Sequence, residues 1–581
     1  MLRTLVAVAL AVGLLAADVS AQVLRGGTAG DTPRRPISTA HAITNARVIV
    51  APGRILDRAT VVVRDGRIVA VGEDAEVPFD ATLIEGDSMW VYAGFLDLYS
   101  HAGVADAEDV DYDGEPGDPP RERAGIVPDQ DVRTMYNPGD NAVKALREAG
   151  FTAAHVTPKE GLFSGMGAVA LLREPGRAEY LQSIFLPRTE TAIAQIDGAG
   201  GVYPNTPMGV LSVMRETIEN VRREQASREA FDGDANRALR PSYDPVMDAL
   251  QPVLSGDRPL VFYVDGWLDA HRALRATEEM RIPTTLLAGV PDVAPVLDKL
   301  LQRGVPFIAP LALPDTVASD SLSRMTPLPA PTVASPGGIS FVGARRTASY
   351  RDVDTEEAAL TAQRIASVQR AEASPARLAE AEVPFAFGSF GEKGGELRDN
   401  LRRMVEAGLS REDALAALTT EAAGLVGLGG AMGTVESGKL ANLVVTTGDY
   451  FADTTQVRFV FVEGVRHEIE AAKTRATGDP DAEVTAVGTW TYSVETPGGA
   501  QTGTMTIEGT PGDLSGEITG QDGDATAFDS ISLEGDLLSI TFSNEGLAIT
   551  LTGTIVDDEF EGTADVGSFG SFPFTATRQP D

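Results

Sequence analysis

Tyr99 and His101 stand two residues apart at the end of the run Gly94-Phe-Leu-Asp-Leu-Tyr-Ser-His101, which follows an apolar stretch from Met89 to Tyr92. On an extended strand alternate side chains project from one face, so the two rings would point the same way. An imidazole there can ligate a divalent metal, and His101 is the candidate ligand for zinc or manganese. A phenol, with its pKa near about 10, is a weak ligand and a better hydrogen-bonding wall. Tyr263 and Asp265, in Phe262-Tyr-Val-Asp-Gly-Trp-Leu-Asp-Ala-His-Arg-Ala-Leu274, offer a second phenol and a carboxylate. A separate grouping, Asp109-Val-Asp-Tyr-Asp-Gly114, sets Asp109, Asp111 and Asp113 at alternate positions before a glycine, as at the opening of a calcium loop. Its closing glutamate is missing, because Pro120 stands there, and a solvated acidic loop is the competing reading.

The inventory of ligating residues is short. There are five histidines, at positions 41, 101, 155, 271 and 467, and no cysteine. Disulfides, thiolate sites and a cysteine nucleophile are excluded. A site remodelled around His101, His155 and Asp265 competes with the reading of His155 and His271 as packed or surface rings.

The elements that must position these residues follow from the pattern of apolar positions. Runs at 151–156, 168–172, 259–264, 284–288, 306–309 and 385–389 predict strands, and stretches at 142–149, 270–279 and 293–303 predict helices between them. The turn Tyr203-Pro-Asn-Thr-Pro-Met-Gly-Val210 opens a long polar helix expected to run through Arg222. Such alternation predicts an α/β chain built on a (β/α)8 barrel over residues 91–428. Short strands joined at the Asp65-Gly66 hairpin signal are predicted ahead of it, over 40–90. A linker at 471–485 leads to residues 486–581, where Trp490, Tyr492 and Val494, then Leu547, Ile549 and Leu551, alternate with polar residues. This period of two predicts an antiparallel barrel or sandwich.

Residues 1–21 combine Arg3, an apolar stretch at 5–17 and the small-residue site Val19-Ser-Ala21, the pattern of a secretory signal cleaved before a linker at 22–39. The stretch is shorter than the ~20 residues of a spanning helix. A periplasmic or secreted protein without a membrane span is expected. Acidic residues outnumber basic ones 84 to 48, for a formal charge of −36, which argues against nucleic acid as a partner.

The 94–101 motif resembles the first barrel strand of the amidohydrolase superfamily, which ends in Asp-x-His-x-His, and Gly433-Thr-Val-Glu-Ser-Gly-Lys-Leu-Ala-Asn-Leu-Val-Val445 resembles its returning Gly-Lys-x-Ala-Asp strand, with Asn442 in place of the Asp. The resemblance spans roughly residues 40–470 and implies imidazolonepropionase- or dihydroorotase-like hydrolysis of non-peptide C–N bonds in small amides or cyclic imides. It also implies a divalent metal, and here the sequence departs from the pattern. Tyr99 replaces the first-strand histidine, and Tyr263 falls at the fifth-strand histidine. No lysine lies between Lys159 and Lys299 to bridge two metals; Phe390 stands where relatives place the eighth-strand aspartate. Of about five ligand positions, His101 alone is kept, whereas catalytic zinc usually takes about three protein ligands. The resemblance also implies that 40–90 and 429–470 are the two parts of one β-sandwich flanking the barrel. Two readings follow: a weakened hydrolase, or a non-catalytic binding protein that holds a small-molecule ligand at the barrel mouth through Tyr99, His101, Tyr263 and Asp265 and forms a homo-oligomer or pairs with an intact paralogue.

Overall fold

The computed structural model describes residues 40–105, 112, 114–174, 184–196, 198, 201–236, 239–314, 350–391, 394–469 and, with short interruptions, 485–579. The expected leader, the 22–39 linker, residues 471–484 of the second linker, Asp109, Asp111 and Asp113 lie outside the described residues.

The described chain falls into two units, divided at Ile469. In the first, β1 (Ala40–Ala51), β2 (Arg54–Arg64), β3 (Arg67–Gly72), β4 (Ala81–Glu85) and β5 (Trp90–Ala93) precede an eight-stranded, nearly closed sheet. That sheet comprises β6 (Phe95–Ser100), β7 (Phe151–Val156), β8 (Phe163–Leu171), β9 (Thr191–Gln195), β10 (Leu260–Tyr263), β11 (Thr285–Ala288), β12 (Phe307–Pro310) and β13 (Phe385–Gly388), in spatial order equal to chain order. β14 (Leu443–Thr446), β15 (Val457–Val462) and β16 (Val465–Glu468) then return to the first sheet, whose order is β16-β15-β14-β5-β1-β2-β3 with β4 against β1. The apolar run at Met89–Tyr92 therefore feeds this sheet, and the barrel-like sheet begins at Phe95.

Local chemistry explains the two tight turns of the first sheet. Asp65 and Gly66 both hold positive φ, 51° and 78°, as do Glu463 and Gly464 at 48° and 77°, the geometry that two-residue hairpins require. The turns abut: a Cβ on Gly464 would stand 3.0 Å from the Cα of Gly66. Val48, Val61, Val91, Leu443 and Phe461 form the core of this sheet.

Every residue of β6 and β7 is buried, as in strands covered on both faces. The expectation of a uniformly parallel (β/α)8 barrel needs one correction, because β8 runs antiparallel to both β7 and β9. The connection between β7 and β8 is six residues, 157–162, and a parallel return needs a crossover of roughly a dozen or more. So short a link can only reverse the chain. The remaining pairs, β6 with β7 and β9 through β13 in succession, are parallel. Closure comes where the Phe390 N–H donates to the Tyr99 carbonyl at 2.9 Å.

The helix after the Tyr203 turn spans Pro207–Gly233, with Thr206 capping it through the Gly209 N–H. Its last buried residue is Val221. Beyond that its residues are half-buried or exposed, and they include pairs such as Arg228 with Glu224.

In the second unit, β17 (Gly488–Thr496), β18 (Gly499–Thr510), β19 (Asp513–Thr519), β20 (Ala525–Ala527), β21 (Ser530–Glu534), β22 (Leu537–Asn544), β23 (Leu547–Val556), β24 (Glu559–Asp565) and β25 (Ser571–Arg578) form one nine-stranded sheet. All its pairings are antiparallel, and β25 returns to pair with β17. Trp490, Met505, Leu551, Phe560 and Phe574 fill its interior, and the Trp490 indole donates to the Ala486 carbonyl at 3.0 Å. Among the described residues no helix is long and apolar enough to cross a membrane.

Candidate functional site

β6 delivers three polar groups to its carboxyl end. Asp97 is fully buried: Oδ1 accepts from the Tyr99 N–H at 3.1 Å and the Ser389 N–H at 2.9 Å, and Oδ2 accepts from the Ser389 hydroxyl at 2.5 Å. Ser100 Oγ lies 3.2 Å from Ser389 Oγ. This network ties the end of β6 to the residue after β13. Burial pushes the Asp97 carboxyl up to about 6, against the pull of these donors.

His101 follows directly. Its Nδ1 is 3.1 Å from the Thr157 carbonyl oxygen, which can only accept, so Nδ1 carries the proton and the neutral ring keeps its lone pair on Nε2. Burial lowers the His101 pKa, the Thr157 bond opposes that shift, and the charge of Lys159 adds to the lowering. The ring is therefore neutral at pH 7.

Tyr99 is 1% exposed. Its ring stacks on Phe390 at a centroid distance of 4.7 Å and an interplanar angle of 18°, and on Tyr263 at 5.5 Å and 22°. His101 meets Tyr99 edge-on at 5.3 Å, and Tyr263 lies 5.7 Å from Phe390. β10 ends at Tyr263, whose hydroxyl donates to Oδ1 of the exposed Asp265. Four side chains from β6, β10 and the end of β13 thus form one aromatic cluster at the carboxyl ends of the strands. In barrels this is the face that carries chemistry.

The other histidines have their own surroundings. His155 is buried in β7 with Nε2 2.9 Å from Thr191 Oγ1, and burial pushes it down to about 4. His271 sits on the Trp267–Glu279 helix, edge-on to Trp267. His41 packs edge-on to Phe461, and His467 Nδ1 lies 3.3 Å from Glu174. Among the described residues no group of three or more histidine, aspartate or glutamate side chains is placed to hold a metal ion.

No family model matches the chain. A stretch of 59 residues, 10% of this chain, is 41% identical to a dihydroorotase from Anaeromyxobacter dehalogenans strain 2CP-C. A stretch of 61 residues is 38% identical to a dihydroorotase from Anaeromyxobacter sp. strain K. Each match spans only 14% of the relative's own length. Among solved structures, an amidohydrolase from Thermotoga maritima MSB8 aligns with 74% of this chain and 100% of its own, with a TM-score of 0.56 and 20% sequence identity. The chain has an amidohydrolase fold.

That fold makes the aromatic cluster informative. Amidohydrolases as a superfamily generally depend on metals, and the positions expected to supply ligands here are Tyr99, His101, Tyr263 and Phe390. Three of the four are aromatic rings packed on one another rather than aimed at a common centre. Phe390 offers no donor atom, and the one carboxylate on β6, that of Asp97, is spent on Ser389 and Tyr99. The residues present do not fit a divalent ion of the amidohydrolase kind. The sequence reading singled out all four cluster positions; it gave no role to Asp97, Ser389 or Thr157. The signal available for Asp97 was its place at the head of the motif.

Proposed function

We propose that this protein is a non-catalytic, ligand-binding member of the amidohydrolase superfamily, exported from the cytoplasm. The observation that carries the reading is the Tyr99–Phe390–Tyr263 stack, which occupies the strand ends where hydrolytic relatives gather metal ligands. Tyr99 forms the floor of the mouth. Above it, His101 Nε2 and the Tyr263–Asp265 pair are the groups that would meet a small polar ligand. The first sheet and the 486–581 unit are read as the flanking β-sandwich and a terminal antiparallel barrel. A partner role, beside an intact hydrolase or a second copy of this chain, fits a binding subunit.

The competing reading is a hydrolase of C–N bonds in small amides or cyclic imides, favoured by the dihydroorotase-like stretch. Elemental analysis separates the two. The protein is exported to the periplasm in zinc- and manganese-supplemented medium, purified without chelator and compared with His101→Ala. The binding reading expects metal at background in both. About one or more transition-metal ions per chain, lost in His101→Ala, would overturn it and direct attention to amides and imides. N-terminal sequencing of the exported protein tests cleavage after Ala21.

A further inference from the structure

A second concavity lies at the other end of the barrel-like sheet. It encloses about 300 Å³ and is lined by residues at the amino ends of the strands: Thr191 opens β9, Pro259 precedes β10, Thr284 precedes β11. Its walls are apolar, with Leu98, Val261, Leu286, Ile308 and Val426. The volume is at the lower end of the range for small-molecule sites, and predominantly apolar walls are typical of them.

Tyr99, Tyr263 and Phe390 do not line it. A Cβ on Gly388 would stand 2.8 Å from the Phe390 ring, 2.9 Å from Tyr99 Cβ and 3.1 Å from a methyl of Ile308, and Ile308 also lines the cavity. Gly388 thus lies between the aromatic stack and Ile308, a residue of the cavity wall.

The lining also carries polar side chains, most of them engaged within the protein. His155, 1% exposed, is held by Thr191, with Nε2 2.9 Å from the hydroxyl oxygen. At the rim, Glu190 is paired with Arg133 at 3.2 Å, and Asp257 accepts from Ser255 at 2.7 Å. Arg188 differs. Among the described residues its guanidinium has no hydrogen-bond or ion-pair partner. It occupies the second corner of the turn Leu186-Pro-Arg-Thr189 at φ 62°, closed by the Thr189 hydroxyl on the Leu186 carbonyl. A Pro-led reversal favours glycine at such a corner, and strained non-glycine residues cluster at ligand-binding positions.

We propose that this cavity binds a small monocarboxylic acid, its aliphatic or aromatic body between Val261, Leu286 and Ile308 and its carboxylate on Arg188. One guanidinium can grip one carboxylate through two parallel hydrogen bonds. The neighbouring carboxylates Glu190 and Asp257 oppose a more highly charged anion. The site is independent of the mouth, and it stands whether or not the mouth is catalytic.

The test is calorimetric titration of the full protein at pH 7.5 with hexanoate and, separately, with 1-hexanol. Hexanoate is expected to bind saturably with Kd of about 1 mM or tighter, the range for so few contact atoms. Arg188→Gln, a change at an exposed side chain, should weaken hexanoate by about tenfold while leaving hexanol unchanged. Leu286→Phe should remove both by filling the cavity; Val426→Phe replaces it if its unfolding midpoint falls. No saturable binding of hexanoate, equal binding by Arg188→Gln, or undiminished binding in a folded cavity-filled variant would each overturn the proposal.

Discussion

Phe390 lies flat on Tyr99, with ring centroids 4.7 Å apart and planes 18° from parallel, while its N–H donates to the Tyr99 carbonyl. One residue pair thus joins the first and last strand ends of the sheet through both backbone and side chains. Aromatic pairs of this kind are worth about 0.5–1.5 kcal/mol beyond the area they bury. A double-mutant cycle with Tyr99→Leu and Phe390→Leu should return a coupling of about 1 kcal/mol. Strictly additive losses would mean that the two rings are neighbours without mutual stabilisation.

The Asp97–Ser389 contact makes a stronger demand. Ser389→Ala removes a 2.5 Å hydroxyl donor from a buried carboxyl. A hydrogen bond to a charged group contributes about 1.5–3 kcal/mol, and leaving the acceptor short of a partner adds to the cost. The unfolding midpoint of the variant should fall by several degrees, and Asp97 should titrate higher still. A midpoint within about one degree of wild type would show that Ser100, 3.2 Å from Ser389, already supplies an adequate donor.

Two buried groups oppose each other as pH falls. His155 is held at about 4 in the fold against 6.5 when unfolded, so between those values the unfolded chain binds the extra proton and acidification destabilises. Asp97 is held at about 6 against 3.8, so in nearly the same window the native state binds the proton and acidification stabilises. Each effect is about 3 kcal/mol by linkage and they largely cancel. Removing one should uncover the other. On going from pH 7 to 4.5, His155→Gln should gain stability relative to wild type, and Asp97→Asn should lose it. Parallel stability profiles for all three proteins would refute both shifts.

The strands that carry the site were legible because a barrel wall buried on both faces leaves unbroken apolar runs, as in β7 and β10. Direction was not legible. The residues of β8 would be equally apolar in either sense, and only the shortness of the 157–162 link dictates reversal. The long helix was traced no further than Arg222 because its apolar stripe ends at Val221, although the helix itself continues to Gly233 on charge pairs and propensity. At the site, motif position marked Tyr99, Tyr263 and Phe390 as the places where the resemblance expects ligands. Nothing in their spacing announced that they would stack, because stacking depends on three strands far apart in sequence ending side by side.

One further feature connects Phe390 to a different chemistry. It sits at φ 52°, a left-handed conformation that aspartate and asparagine tolerate and bulky residues rarely adopt. An aspartate, the residue the family resemblance expects here, would hold this conformation with less strain, and the phenyl ring packs against Tyr99 and Tyr263. With ring centroids at these strand ends 4.7–5.7 Å apart, imidazoles and a carboxylate on the same positions could converge on one ion. Combining Tyr99→His, Tyr263→His and Phe390→Asp with the native His101 should therefore create a zinc site of about one ion per chain, since about three good ligands suffice. Phe390→Asp alone should bind none and should lower stability, because it places a carboxylate against apolar rings. Equilibrium dialysis with zinc reads both outcomes. A triple variant that folds yet binds no zinc would show that the strand ends have moved apart as well as changed residue.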